Sequence, residues 1–357
     1  MLESPEDKQA GVVSADEPET DVEDTDEEAE EEEPVEQAAP QPPPPIEKVL
    51  APQRVRKLDI VSRRNWFFLL SLLIIIPGII SMSTRHFLLG IDFAGGTEFT
   101  VTFTNNPSVA QVEDGVAAEN IDGTVISTGG GGYLIRTPPL QPAQQTTVLN
   151  DLSERVGPID RTKLSILEVG GTIAGETITR ALLAVVAAAL AILFLLAIRF
   201  RNVPGGWRAG FQFGGSALAA LLHDVFLLTG LFSIMGAVLG LRIGEIDSLF
   251  VTAVLTVVGF SVHDTIVVFD RIRENLRVSQ RLSFEQVVNL SIMQTAARSI
   301  ITSFTVVLVL VAILVAGGAT LKGFALALLI GIVSGTYSSI FNAAPLLVVW
   351  RRLQPVR

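Results

Sequence analysis

The sequence has no cysteine, and charged residues make up only 18% of its 357 residues. The absence of cysteine excludes disulfide bonds, thiolate zinc sites and cysteine nucleophiles. The low charge accompanies 49% apolar residues and a mean hydropathy of +0.48, well above the values of ordinary soluble domains. No short cleavable apolar segment precedes the first apolar run, which begins near Trp66. We therefore expect that run to act as a membrane anchor.

Six apolar runs are long enough to cross a membrane, because about 20 helical residues span a hydrocarbon core ~30 Å thick. The runs lie at 66–82, 181–198, 213–236, 248–269, 299–317 and 321–349. Clusters of arginine and lysine precede the first run and follow the second, fourth and sixth. Basic clusters of this kind face the cytoplasm. We therefore predict a multi-pass protein of the cell inner membrane, with both termini in the cytoplasm.

The acidic residues are concentrated at the N-terminus. The net charge is −11, but residues 1–36 hold 17 acidic residues and one lysine, which leaves 25 basic and 20 acidic residues elsewhere. A strongly acidic segment that continues into the proline-rich PQPPPP repels itself and cannot form a core, so we predict a disordered tail. The predicted domains are a cytoplasmic tail (1–57), the first membrane helix (58–83), a periplasmic α/β domain (84–176), membrane helices two to six (177–350) and a cytoplasmic C-terminus (351–357).

The segment between the first two spans has the pattern of a small α/β domain. TEFTVTF (97–103) alternates apolar and polar residues as a half-buried strand does, and helical spacing follows at 109–116. TVIST and YLIRT are joined by the glycines at 129–132, before a helical stretch near 142–156 and the strand KLSILEV (163–169). The glycine run predicts a hairpin turn, because no Lys-Ser or Lys-Thr follows it as a phosphate loop requires. The order β-α-β-β-α-β predicts a ferredoxin-like α/β domain.

Three charged residues lie within or at the edge of the apolar runs, namely Asp224, Asp264 and Arg298. Each costs about 2.5 to 3.5 kcal/mol at a bilayer centre, so such groups face protein or water and usually have a partner. The predicted topology places Asp264 near the cytoplasmic end of the fourth span and Arg298 at the cytoplasmic start of the fifth. An ion pair is feasible if these helices touch. It would be either a static clamp or a titrating carboxylate whose charge Arg298 holds or releases.

Two His-Asp doublets, at 223–224 and 263–264, also lie within the spans. Asp224 is a second polar relay or a satisfied packing group, and the residues alone leave both interpretations open. A metal site is not expected, because neighbouring helical residues point about 100° apart and no further ligands are evident. An intramembrane aspartyl protease would use two membrane aspartates, but neither lies in a GxGD sequence.

Four ordered motifs carry a resemblance to a known family. They are GIDFAGGT (90–97), VVGFSVHDTIVVFDRIREN (257–275), ARSIITSFT (297–305) and FALALLIGIVSGTYSSIFNAAPLL (324–347). Over residues 60–350 the chain resembles the SecF family of protein-export membrane subunits, within the RND superfamily of proton-driven transporters. It departs from the family pattern at His263, where asparagine is usual, at Phe260, where tyrosine is usual, and at Gly171, where proline is usual.

The resemblance implies a polytopic α-helical membrane protein with six transmembrane helices, an RND-like half whose other half is SecD. It implies a non-enzymatic subunit that uses the proton-motive force to assist preproteins through the SecYEG translocon, without cofactor, metal or nucleic acid. Further implied partners are YajC, YidC, the preprotein and membrane lipid. The alternatives are an RND-type efflux half-transporter and a scaffold that only stabilises the translocon.

The resemblance assigns two groups of residues in this sequence. Asp264 and Arg298 match the proton path, to which we add Asp224 as a candidate relay and His263 as a titratable neighbour. Residues that belong to the family motifs form the second group, namely Asp92, Phe93, Gly95, Gly96, Asp270 and Arg271.

Overall fold

A computed structural model describes residues 59–278 and 281–355. The tail predicted at 1–57 lies outside the described residues. Six helical segments in the described chain are long and apolar enough to cross a membrane. They are α1 (Arg64–Thr84), α5 (Gly171–Arg199), α6 (Gly206–Ser233, extended by a π-helical turn Ile234–Val238), α7 (Ser248–Val278), α8 (Phe284–Ala316), and α9 (Ala319–Ser338), which continues through a π-helical turn (Ser339–Ala343) into α10 (Ala344–Leu353).

Most of these helices are longer than their apolar runs, and α5 and α8 show why. Helix α5 starts at Gly171, directly after the last strand of the α/β domain, so residues 171–176 are helical. Helix α8 starts at Phe284, where Ser283 and Gln286 form a capping box. Residues 284–297, which precede the fifth apolar run, are therefore continuous with that run in one helix. Neither glycine nor proline interrupts 284–316, and a change of polarity alone does not break backbone hydrogen bonding.

The region between α1 and α5 is the predicted α/β domain. Its elements are α2 (Ile91–Ala94), β1 (Gly96–Thr102), α3 (Val109–Ala117), β2 (Thr124–Gly129), β3 (Gly132–Thr137), α4 (Pro142–Arg155) and β4 (Ser165–Val169). The strands form one sheet in the order β2-β3-β1-β4, and all neighbours are antiparallel. With α3 after β1 and α4 after β3, this is the ferredoxin-like arrangement, and the fold prediction is confirmed.

One face of the sheet packs against helices α3 and α4. Phe99, Val101 and Ile135 of the central strands are fully buried against Val112 and Leu152 of the two helices. The alternation read in 97–103 thus marks the face that forms the core. The glycines at 130 and 131 have φ values of 60° and 76°, the left-handed conformation that a tight hairpin requires. The hairpin prediction is confirmed.

Glycines allow close approach between the membrane helices. A side chain at Gly78 of α1 would overlap the backbone of Gly230 of α6, since its Cβ would lie 2.8 Å from the Gly230 Cα. A Cβ on Gly331 of α9 would lie 2.1 Å from Val257 of α7. Small residues permit such contacts between helices in lipid. Helix α7 is consequently held against α9 along the segment that carries Asp264.

Candidate functional site in the membrane helices

A layer of buried polar side chains crosses the interior of the helical bundle. Serines and threonines from α7, α8 and α9 supply most of it, and their hydroxyls bond to each other, to backbone carbonyls or to the buried Asp224. Thr265 of α7 bonds to Ser339 (2.9 Å), and Ser303 of α8 bonds to Thr336 of α9. Hydrogen bonds of this kind satisfy polar groups that lipid cannot.

Asp224 lies at the centre of this layer and is 1% exposed. Its carboxylate accepts hydrogen bonds from Ser261 of α7 (2.7 Å), Ser334 of α9 (2.7 Å) and Ser338 of α9 (2.6 Å). The Nδ1 of His223 lies 3.0 Å from the same carboxylate. Every neighbour can donate, which is what a carboxylate acceptor requires. Asp224 therefore joins three helices and is fully satisfied.

Asp264 lies one helical turn from Ser261 on α7 and is in a different situation. It is 5% exposed, and its Oδ2 is buried with no hydrogen-bond partner in the described part of the chain. The hydroxyls of Ser299 and Ser339 lie near the carboxylate, and the Ser299 Oγ is also buried without a partner there. Because burial without a partner is costly, a group of this kind in a membrane helix marks a functional site by default.

Arg298 is exposed on α8 and forms no ion pair within the described residues. The static Asp264–Arg298 pair is therefore absent from this structure, although α7 and α8 do pack together. Arg298 lies directly before the apolar run of α8, although the helix itself begins further back along the chain, at Phe284. The long side chain points instead into a polar cavity.

That cavity lies between α7 and α8 and has a volume of about 480 Å³. Apart from one valine, its lining is charged and polar. The lining residues are Val267, Asp270, Arg271, Glu274, Gln294, Thr295 and Arg298. Val267 is one turn beyond Asp264 on α7, and Arg298 adjoins Ser299 on α8. Residues three or four apart share a helical face, so the cavity begins about one turn from the buried carboxylate.

The motif residues Asp270 and Arg271 fasten α7 to its neighbours at this end. Asp270 pairs with Arg199 of α5, and it also contacts Arg273 at 3.5 Å. Arg271 donates to Gln294 of α8 (2.6 Å) and pairs with Glu274 (2.6 Å). These contacts hold the cavity walls in place.

His263 does not join the buried layer. It is exposed on α7, so it points away from the serines that surround Asp224. His223, in contrast, is half-buried and stacks near Tyr337 of α9, with ring centroids 6.3 Å apart. No group of three or more His, Asp or Glu side chains among the described residues could hold a metal ion.

The GIDFAGGT motif lies at the other end of α7. Gly95 and Gly96 have φ values of 69° and 115°, and a Cβ on Gly96 would lie 2.3 Å from the Thr137 carbonyl oxygen. Only glycine therefore allows β1 to start immediately after α2. Phe93 is buried in the core of the membrane bundle, and Asp92 contacts the first residue of α7.

The sequence analysis missed the serines that bind Asp224. Ser334 and Ser338 are four residues apart in SGTYSS, a spacing that places both hydroxyls on one face of α9. Ser261 lies three residues before Asp264, so these two polar residues also lie on one face of their helix, α7. Polar residues at helical spacing within an apolar run were the available signal.

Two family descriptions match the chain. "Protein export membrane protein SecD/SecF, C-terminal" matches residues 148–353, and "SecD/SecF GG Motif" matches residues 80–107. The second match contains Asp92 and the Gly95–Gly96 turn. The first contains both buried aspartates and the charged cavity.

Similar curated proteins include "Protein translocase subunit SecF" of Thermobaculum terrenum, 44% identical over 82% of this chain and 94% of that protein. The protein of the same name from Anaerolinea thermophila is 42% identical over 82% and 94%. Among solved structures, SecDF from Thermus thermophilus, described as a translocon-associated membrane protein, is 29% identical with a TM-score of 0.73. The match covers 84% of this chain but only 39% of the SecDF chain.

Proposed function

The chain belongs to the SecF family of protein translocase subunits, and we propose from this premise that it assists preprotein export by coupling it to proton flow. It is an integral membrane protein of the Sec pathway. In our proposal it forms one half of a SecDF complex, whose SecD half supplies the part of the solved SecDF chain that this chain does not match. SecYEG, YajC, YidC and the preprotein remain proposed partners.

The observation that carries the proposal is the contrast between the two buried aspartates. Each oxygen of Asp224 accepts from at least one serine, so a proton gained by either oxygen would compete with a hydrogen bond that the oxygen already accepts. Asp264 has a buried oxygen with no partner in the described chain, so gaining a proton disrupts no hydrogen bond of that oxygen. A carboxylate that exchanges protons needs this freedom. We therefore assign proton exchange to Asp264 and a structural role to Asp224.

Arg298 and the charged cavity would provide access. The cavity starts about one turn from Asp264, and water in a cavity of about 480 Å³ can carry protons towards the carboxylate. Arg298, which has no ionic partner in the described residues, is available to a carboxylate that approaches from the SecD half. The positive-inside pattern supports a cytoplasmic location for this cavity and for both termini. His263, exposed on α7, would face the partner or lipid.

The test is preprotein export into inverted membrane vesicles, measured with and without a proton gradient. We expect Asp264→Asn and Arg298→Met to abolish the gradient-dependent part of export while the gradient-independent part persists. Arg180→Met is the matched control, because Arg180 is exposed on α5 and its one ion pair in the described ranges is with Glu176 of the same helix. Full gradient dependence in assembled Asp264→Asn vesicles would refute proton coupling and leave the scaffold role. Drug sensitivity of a deletion strain without an export defect would indicate efflux.

A further inference from the structure

The α/β domain meets the membrane helices at the outer end of α7. Two backbone hydrogen bonds join the segment before α2 to the loop before α7: Ile246 N–H to the Leu88 carbonyl (2.8 Å) and Gly90 N–H to the Ile246 carbonyl (2.8 Å). A Cβ on Gly90 would lie 2.8 Å from the Asp247 Cβ. The two segments are thus in direct backbone contact, with no room for a side chain at residue 90.

Two carboxylates cap α7 at this point. The Asp92 Oδ2 accepts from the Ser248 N–H (3.0 Å), and the Asp247 Oδ1 accepts from the Phe250 N–H (2.7 Å). The first amides of a helix have no partner within the helix, and a negative charge is favourable there. Asp247 caps its own helix, whereas Asp92 reaches α7 from α2. The start of α7 is therefore bonded to a residue adjacent to the sheet.

Arg136 of β3 adds a side-chain connection from the sheet itself. Its Nε donates to Glu98 of β1 (2.7 Å), its Nη1 donates to the Leu89 carbonyl (3.0 Å), and its Nη2 pairs with Glu245. The side chains of Arg136, Glu98 and Glu245 are 14%, 13% and 12% exposed. A guanidinium can hold three partners at once because its five N–H groups have a fixed geometry. Arg136 thereby fixes the sheet to the loop that leads into α7.

Helix α7 continues without interruption from this junction to the candidate proton site. It is one α-helix of 31 residues without proline, about 46 Å long at 1.5 Å per residue. Asp264 and the motif residues Asp270 and Arg271 lie on the same helix. A rotation or shift of α7 that alters the surroundings of Asp264 must therefore also move the amides that Asp92 holds.

We infer that Asp92 and Arg136 are positioning residues that couple the α/β domain to α7, so that a change at Asp264 moves the domain. The domain end of the coupling is the sheet through Arg136, and the helix end is the Asp92 cap. The inference rests on the proposed function only in taking the charge of Asp264 as the trigger. It explains why a motif remote from the buried aspartates carries an acid next to the glycine turn.

The absence of cysteine makes the test direct. Cysteines introduced for Ala143 on α4 and Ser83 on α1, both exposed, carry spin labels in the full chain assembled with its SecD partner in liposomes. Pulsed electron–electron double resonance measures the distance between the labels. We expect Asp264→Asn, which removes the charge, to shift that distance distribution beyond its reproducibility. In the presence of Asp92→Ala, or of Arg136→Met, the same Asp264→Asn change should produce no shift.

Two further variants separate coupling from general damage. Asp92→Asn keeps an oxygen that can accept from the Ser248 N–H and should retain the shift. Arg155→Met removes the ion pair that the exposed Arg155 forms with Glu119 at 3.6 Å within the same domain, and this variant should also retain the shift. The inference would be overturned if Asp264→Asn gave a shift of unchanged size in both the Asp92→Ala and the Arg136→Met backgrounds. It would also be overturned if Asp264→Asn alone gave no shift. The distance measurement does not depend on export. If the label distance shifts as expected but the vesicle experiment shows export that does not depend on the proton gradient, the proposed function is refuted and the coupling stands.

Discussion

Replacement of Asp224 by alanine should cost more stability than any single partner serine contributes. The carboxylate receives hydrogen bonds from Ser261, Ser334 and Ser338, which lie on two helices other than its own. Alanine removes all three bonds together in the buried interior of the bundle. The perturbation therefore tests whether Asp224 connects α6, α7 and α9.

The magnitude follows from what such bonds contribute in membranes. Interhelical hydrogen bonds there average about 0.6 kcal/mol and reach about 1.7 kcal/mol, because the unfolded chain in lipid also finds partners. Three bonds then amount to about 2 to 5 kcal/mol. Values for charged hydrogen bonds in soluble proteins, about 1.5 to 3 kcal/mol each, would give a larger total. We adopt the membrane values, since all four residues are buried within the spans.

The assay is reversible unfolding of the full chain in mixed micelles titrated with sodium dodecyl sulfate, which gives the free energy of unfolding. We expect a loss of about 2 to 5 kcal/mol for Asp224→Ala and of about 0.6 to 1.7 kcal/mol for Ser338→Ala. Asp224→Asn, which keeps one acceptor oxygen, should fall between them. If Asp224→Ala cost no more than Ser338→Ala, the carboxylate would not connect the three helices.

Two other predictions concern the outer end of the molecule. Gly96→Ala should destabilise the α/β domain by at least about 1 to 3 kcal/mol, because φ is 115° and the new Cβ would overlap the Thr137 carbonyl. Thermal unfolding checks this against the control Gly170→Ala, where nothing lies within 4 Å of the new Cβ. Equal melting temperatures of the two variants would contradict the prediction. Burial and the Asp92 carboxylate raise the pKa of Asp247. The folded state therefore binds this proton more tightly than the unfolded state, and protection of the α7 N-terminus should fall as pH rises through the interval above the ordinary aspartate pKa. Hydrogen exchange corrected for intrinsic rates measures it, and the pH dependence should disappear in Asp247→Asn; its persistence there would assign it to another group.

The elements of the fold were predictable because each has a strong periodic signal. The alternation at 97–103 and the helical spacing at 109–116 gave the strands and helices of the α/β domain in the right order, and the six apolar runs gave the six membrane helices. The ends of α5 and α8 were not predictable from hydropathy. Hydropathy reports lipid contact, whereas helix ends depend on capping, and Ser283 with Gln286 caps α8 well outside the apolar run.

The site was predictable in its residues but not in its contacts. An acid in an apolar run is costly wherever it lies, so Asp224 and Asp264 were evident from the sequence alone. Which of them is satisfied depends on the rotation of α9, which brings Ser334 and Ser338 to Asp224 and none of their hydroxyls to the Asp264 Oδ2. Whether the feasible pair with Arg298 forms required the same information, since contact between α7 and α8 does not fix the direction of a long side chain.

Proton movement through the assembled complex tests the central claim most directly. Liposomes containing the full chain and its SecD partner, loaded with a pH-sensitive dye and given a pH step, report proton entry in real time. Our account predicts that Asp264→Asn reduces entry to the rate of protein-free liposomes, while Ser303→Ala, a substitution in the same buried layer that leaves both aspartates in place, retains it. Undiminished proton entry with Asp264→Asn would contradict the account.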